Sequence, residues 1–263
     1  FWRRGNGSTL RQRWPQARAR LRGGAAALAL GSGLVFAGSG AFIFWNTNVL
    51  NRYTPQPEEE ATMAQAEKAL LPFEQLAQPR IIGVTLNVEL FPRETKAITT
   101  GTYELENRSG QTITELHLVS MPPLRIEQVE LPGAKLKTDN ARWGHRIYTL
   151  AQPLQPGQRL QLGFKTVLHE PGFVNSRPLT RIVDNGTFVS NGEITPAIGV
   201  ARGMFLQDRN KRRKHGLPPE LRQPTLEDES GRSGHDLRPD SDWVTADITV
   251  TTDADQTPVA PGY

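Results

Sequence analysis

The chain has 263 residues, no cysteine and a formal net charge of +4, from 31 Lys and Arg against 27 Asp and Glu. That length suits one large or two small domains. The missing cysteines exclude a disulfide-stapled secreted scaffold and a thiol nucleophile, and fit a cytosolic or bacterial envelope origin. Running from Phe1 to "QTPVAPGY" at the other end, the sequence reads as a piece of something longer.

The first element in chain order is "GGAAALALGSGLVFAGSGAFIFW", Gly23 to Trp45, 23 residues without a charge. As a helix it would be roughly 35 Å long, enough for a hydrocarbon core of about 30 Å. It is longer than a signal-peptide apolar region and ends in the aromatic "FIFW" rather than a small-residue cleavage site, so a transmembrane helix is expected over 23–45. Residues 1–22 carry seven arginines and no acid, whereas 46–79 carry Arg52 and Lys68 against Glu58, Glu59, Glu60, Glu67 and Glu74. That asymmetry predicts a cytoplasmic basic segment over 1–22, with everything after the span outside. Beside a membrane span, the arginines do not argue for nucleic acid. Ala25, Ala29, Gly33, Ala37 and Ala41 recur every fourth residue, a ridge along which other transmembrane helices could approach.

A stalk is expected over 46–79. Its short helix has Pro57 in the first turn and Glu58–Glu60 at the positive end of the dipole. Met63, Ala66 and Leu70 share one face, and Pro72 ends the helix. From residue 80 the period becomes two. Ile82, Val84, Leu86, Val88 and Leu90 alternate with smaller or polar residues. Tyr103 and Leu105, Leu116 and Leu118, then Ile126, Val129 and Leu131 follow. "RIYTL", Leu160–Phe164 and Val244–Val250 complete the series. Turn signals come every 8–15 residues and no βαβ pattern appears. The fold class expected is mainly β: an antiparallel sandwich or saddle over 80–263, preceded by one transmembrane α-helix and a short stalk helix.

Two stretches interrupt this rhythm. "RIVDNGTFVSNGEITPAIGVARG", Arg181 to Gly203, mixes turn signals with Ile182, Val183, Phe188, Val189, Ile194 and Ile198, too apolar for a surface loop and too glycine-rich for a strand. Residues 207–242 hold eight basic and eight acidic residues and four prolines. They read as an exposed charged insertion at about 207–241, whose Arg209 and Lys211–Lys214 are a solvated run or an anion site.

No catalytic or metal-binding residues emerge. The histidines are His117, His145, His169, His215 and His235, with no pair four apart. "HEPGF" at His169 begins like a zinc-peptidase helix, but Pro171–Gly172 would break that helix and the second histidine is missing, so a strand end is expected. No phosphate-cradling glycine loop and no G-x-S-x-G occurs. Asn107 and Asn185 begin glycosylation patterns by letter only.

In order, these parts resemble a known family. "VTLNVELFPRETKAITTGTYELENRSG", with Leu86, Val88 and Leu90 leading to Pro92, Gly101 and Tyr103, resembles the opening of the aminopeptidase N-like zinc peptidases. "LHEPGFVNSR", "VDNGTFVSNGEITPAIGVARG" and "NKRRKHGLPP" are similar to a bacterial branch fused behind an ABC transporter permease-type membrane domain. "FIFWNTNVLNRY" resembles the last span of such a domain. The resemblance implies a bacterial inner-membrane protein with a periplasmic, non-catalytic β-saddle whose irregular segment lines a peptide cleft. Asn191 and Glu193 would then face the substrate. It implies no cofactor in this chain and zinc in a catalytic domain downstream. Implied partners are the lipid bilayer, other transmembrane helices, that catalytic domain and a peptide substrate. "PAIGVARG" departs from the acidic ending of many relatives. The competing expectations are a permease-linked β domain that only binds a partner or peptide, and a single-span envelope protein with an adhesin-like sandwich.

Overall fold

The computed structural model describes residues 11, 14, 15, 18, 19, 21–175, 179–219, 227 and 240–260. Most of the basic segment 1–22 and of the charged stretch beyond 219 lies outside the described residues. The chain divides into two compact units, Phe1–Tyr53 with Gly172–Asn175, and Thr54–Pro171 with Ser176–Tyr263.

In the first unit, α1 (Gly24–Phe44) is followed without a break by a wider π-helical turn, Trp45–Leu50. Together these 27 residues are long and apolar enough to cross a membrane. No residue of α1 is buried, and Phe36, Phe42, Phe44 and Trp45 are exposed around it. The widening has a local cause. A π-turn shifts backbone pairing by one residue, and Asn46 and Thr47 donate their side chains to the carbonyls of Phe42 and Ile43, both at 2.9 Å. Within the same unit the Phe173 ring lies 5.8 Å from Phe42.

The second unit begins with α2 (Gln56–Leu70), which Pro72 ends in a single 3-10 turn, Leu71–Phe73. Ala66 and Leu70 are buried against Phe205, as their shared face suggests. A second buried stripe, Glu60, Ala64 and Glu67, was not expected. Two glutamates facing inward require partners, and they are described below.

Among the described residues eleven strands follow. They are β1 (Arg80–Phe91), β2 (Lys96–Glu106), β3 (Ile113–Val119), β4 (Leu124–Glu130), β5 (Lys135–Asn140) and β6 (His145–Leu154). Then come β7 (Arg159–His169), β8 (Ile182–Val183), β9 (Gly186–Thr187), β10 (Ala197–Ile198) and β11 (Ser241–Thr251). One sheet has the order β11-β1-β2-β7-β4, a second β10-β3-β6-β5, and β8 and β9 form a small hairpin. The chain is therefore mainly β. Among the described residues every pairing is antiparallel except one, β1 with β11, which makes the larger sheet mixed. The core lies between the sheets. Leu86, Val88, Tyr103, Leu105, Leu162 and Phe164 come from one, and Leu116 and Leu118 from the other.

Two bulges correct the period-two reading. The register of β1 slips between Ile81 and Gly83, so Ile81 rather than Ile82 is buried. An extra residue on one strand reverses which side chains face inward beyond it. The slip in β4 between Ile126 and Gln128 likewise lets Ile126 and Val129, three apart, both serve the core. Strand β5 had no sequence signal because most of it is exposed; Lys135 and Lys137 are lysines of the kind that protect a sheet edge. Asn107 is fully buried, its amide donating to the carbonyls of Gln111 and Leu154 at 2.8 Å, so this pattern holds a turn rather than a glycan.

Candidate functional site

The segment from Arg181 to Gly199 is tied to both sheets. Ile182, Ile194 and Ile198 insert into the core. The Tyr103 hydroxyl on β2 donates to the Pro196 carbonyl at 3.0 Å, and Thr166 on β7 donates to the Ile194 carbonyl. On the other side β10 pairs with Leu118 and Val119 of β3, and the Gly199 N–H reaches the His117 carbonyl at 2.9 Å. The Ile198 N–H donates to the buried Asp240 carboxylate at 2.8 Å, just before β11. Apolar residues and glycines alternate irregularly because each anchor needs a side chain and each reversal of direction a turn.

Between the anchors lies one helical turn, α3 (Asn191–Ile194). Ser190 and Glu193 close a capping box, with the Ser190 N–H and hydroxyl donating to Glu193 Oε2 at 2.8 and 3.0 Å. Glu193 Oε1 is ion-paired with Arg181 at 2.7 Å. Both carboxylate oxygens are thus engaged in holding the turn. Asn191 is exposed on the same turn, as is Phe188, 81 % exposed at the end of the hairpin. The turn therefore brings the two expected site residues together in different circumstances: Asn191 presented to solvent, Glu193 engaged by Ser190 and Arg181. Replacing Tyr103 with Phe should cost about 1–2 kcal/mol, since the buried hydrogen bond to the Pro196 carbonyl is lost while packing on Phe164 is retained. Thermal unfolding should show the loss, and amide exchange at 194–198 should quicken.

The charged stretch after the segment differs from an exposed insertion over its first part. Asp208 caps α4 (Arg209–Lys214), accepting from the N–H groups of Asn210 and Lys211. Arg212 is buried and makes a bidentate pair with Glu67 of α2, at 2.8 and 2.6 Å. Lys211 and Lys214 pair with Glu60 at 2.8 and 3.2 Å, and these contacts, Lys211 first, hold the Glu60 carboxyl below its usual range. The inward glutamates of α2 thus find their partners in the basic run. Arg212 and Lys211 are not free to bind an anion.

Among the described residues no three His, Cys, Asp or Glu side chains come together to hold a metal. His117 and His145 approach to 3.3 Å, without a third donor of that kind. The zinc that the resemblance implies has no fitting site in these residues. His169 ends β7, and Glu170 is buried, accepting from the Leu179 N–H.

No family model and no curated protein matches the chain. Solved structures similar to part of it are M1 zinc metallopeptidases. A two-domain enzyme bound to L-tryptophan is 16% identical with a TM-score of 0.29, over 37% of this chain and 22% of that one. An M1 zinc metallopeptidase from Deinococcus radiodurans is 15% identical with a TM-score of 0.31, over 41% and 24%. Another from that organism, bound to a Tyr-Ser-Ala substrate, is 15% identical with a TM-score of 0.30, over 43% and 27%. The match thus spans about a quarter of the length of those structures.

Proposed function

We propose that this chain is the membrane-tethered, non-catalytic β domain of a zinc aminopeptidase-like protein linked to a transporter permease. In this reading α1 is the last span of the membrane part, with the basic segment cytoplasmic and the β domain on the periplasmic side of a bacterial inner membrane. The segment 181–199 forms a wall of the peptide cleft. The observation that supports it is the anchoring of this segment to both sheets while Asn191 and Phe188 stay exposed on its turn. A wall that positions a substrate must be rigid in its backbone and open in its side chains. Asn191 is the side chain offered to substrate, and Glu193 keeps the turn in shape through Ser190 and Arg181. The sequence resemblance supplies the substrate class, peptides, and assigns zinc to a downstream domain.

The test is peptidase kinetics and zinc content of the full-length protein that carries this chain. Asn191→Ala is expected to lower kcat/KM about 5-fold, equivalent to about 1 kcal/mol, without loss of zinc. Glu193→Ala should also weaken substrate use with zinc retained. A full-length protein with neither bound zinc nor turnover would overturn the peptidase reading in favour of a permease-linked domain that only binds a partner or peptide.

A further inference from the structure

The end of α2 is fastened to the four-stranded sheet by aromatic contact. The Phe73 ring lies 5.1 Å from the His117 ring, edge-on at 67°, and 6.0 Å from the His145 ring, stacked at 20°. His117 sits in β3 and His145 opens β6, diagonal neighbours in an antiparallel pair. They are 1% and 2% exposed. This explains why β3 is buried on both faces: Leu116 and Leu118 point into the core between the sheets, and His117 points toward Phe73.

His145 Nε2 and His117 Nδ1 lie 3.3 Å apart, a contact that two neutral imidazoles make with one ring donating and the other accepting. The other nitrogen of His117, Nε2, is buried without a hydrogen-bond partner, as is Trp143 Nε1 in the adjoining turn. An added proton on the accepting nitrogen would remove the shared bond, and on either ring it would put a charge into this buried site beside an unpartnered nitrogen. Nor do the charged groups on the surrounding elements stand ready to neutralise it. Glu115 of β3 is paired with Lys137 of β5 at 2.6 Å. Asp139 of β5 is paired with Arg146 of β6 at 3.1 Å. Glu74, after the 3-10 turn, is held by Arg202, and Arg142 in the turn before β6 donates to Thr62.

The geometry points to an acid-sensitive latch: while both rings are neutral the His117–His145 pair clamps the Leu71–Phe73 turn, and with it the end of α2, onto the sheet, and protonation of the pair releases it. Burial lowers the affinity of both rings for a proton, with Glu115 opposing and Lys137 adding to the effect at His117; His145 is pushed down to about 4. A depressed histidine gives its full stabilisation above the unfolded value of about 6.5 and loses it as pH falls toward the folded value. In the released state the rings take up a proton near their ordinary pKa. Opening should therefore grow by up to about tenfold per pH unit, per proton taken up, between about 6.5 and 4.

Amide hydrogen exchange on the full chain in lipid nanodiscs, corrected for intrinsic rates, tests this at pH 7.5 and 5.0. Glu74 and Leu76 donate to Leu71 and Phe73, and Met204 and Phe205 to Ala201 and Arg202, so these four amides report the latch. Their opening should rise at least tenfold at pH 5.0, with Leu86–Val88 and Leu162–Phe164 unchanged. The double variant His117→Asn with His145→Gln should lose the pH dependence. Opening that is unchanged at pH 5.0, opening of all strands together, or a double variant with wild-type pH dependence would each overturn the latch. If the double variant does not fold, histidine NMR of the wild type decides. Proton uptake that tracks the opening of the four amides supports the latch, and titration of both rings near 6.5 without opening refutes it.

Discussion

Replacing Arg212 with alanine is expected to cost roughly 3–5 kcal/mol, because it leaves a buried carboxylate without its cation. The guanidinium is 4% exposed and the Glu67 side chain 1%. Arg212 also donates through Nε to the Pro218 carbonyl at 3.0 Å and through Nη1 to the Leu206 carbonyl. One deletion thus orphans a charge and two carbonyls between α2 and α4, beside the small cluster of Ala64, Leu206 and Leu217. The ion pair as a whole stabilises far less than its removal costs, since both ions were desolvated to make it. The double variant Glu67→Leu with Arg212→Met should therefore recover to within about 1 kcal/mol of the parent. Thermal unfolding of the full chain at pH 7.5 measures both variants. A single variant within about 1 kcal/mol of the parent at pH 7.5 would show that the pair is not the tie between these helices.

How far the sequence foretold this molecule depended on whether a signal was local. The apolar run of α1, the proline stop after α2 and the alternation in β2 and β7 are read from adjacent residues, and they match the structure. Where the structure departs from the expectation, two segments meet that are distant in sequence. Glu67 and Arg212 are 145 residues apart, and each alone looks like a solvated charge. The bulges of β1 and β4 are decided by the neighbouring strand, so Ile82 and Ile81 could not be ranked by pattern. His117 sits between Leu116 and Leu118 and reads as an outward polar position until Phe73 is placed over it. In the segment 181–199 the unusual composition was visible, but its cause lies in Tyr103, Thr166 and Asp240, the first two in other strands. Glu193 stood out as an acid; its binding by Ser190 and Arg181 required the turn geometry.

Gly144→Ala is expected to destabilise the chain by roughly 3–4 kcal/mol, from left-handed backbone strain together with a backbone collision and a disrupted hydrogen bond. Gly144 has a φ of +60° in the turn that leads into β6. A Cβ there would lie 1.9 Å from the Ser120 carbonyl oxygen and 3.0 Å from its carbon, backbone atoms that cannot rotate away. The Ser120 N–H donates to the Gly144 carbonyl at 2.8 Å, so the same displacement would open this link just beyond the β3–β6 pairing. His145 is the next residue, and its approach to His117 would be displaced as well. Gly157 provides the control. Its φ is +79°, yet nothing lies within 4 Å of a Cβ built there. Gly157→Ala should therefore carry the conformational strain alone, roughly 1–2 kcal/mol. Thermal unfolding of the two variants beside the parent separates strain from collision. Equal losses would mean that Ser120 yields without cost, and that the close approach of β3 and the turn before β6 is not what holds the histidine pair in register.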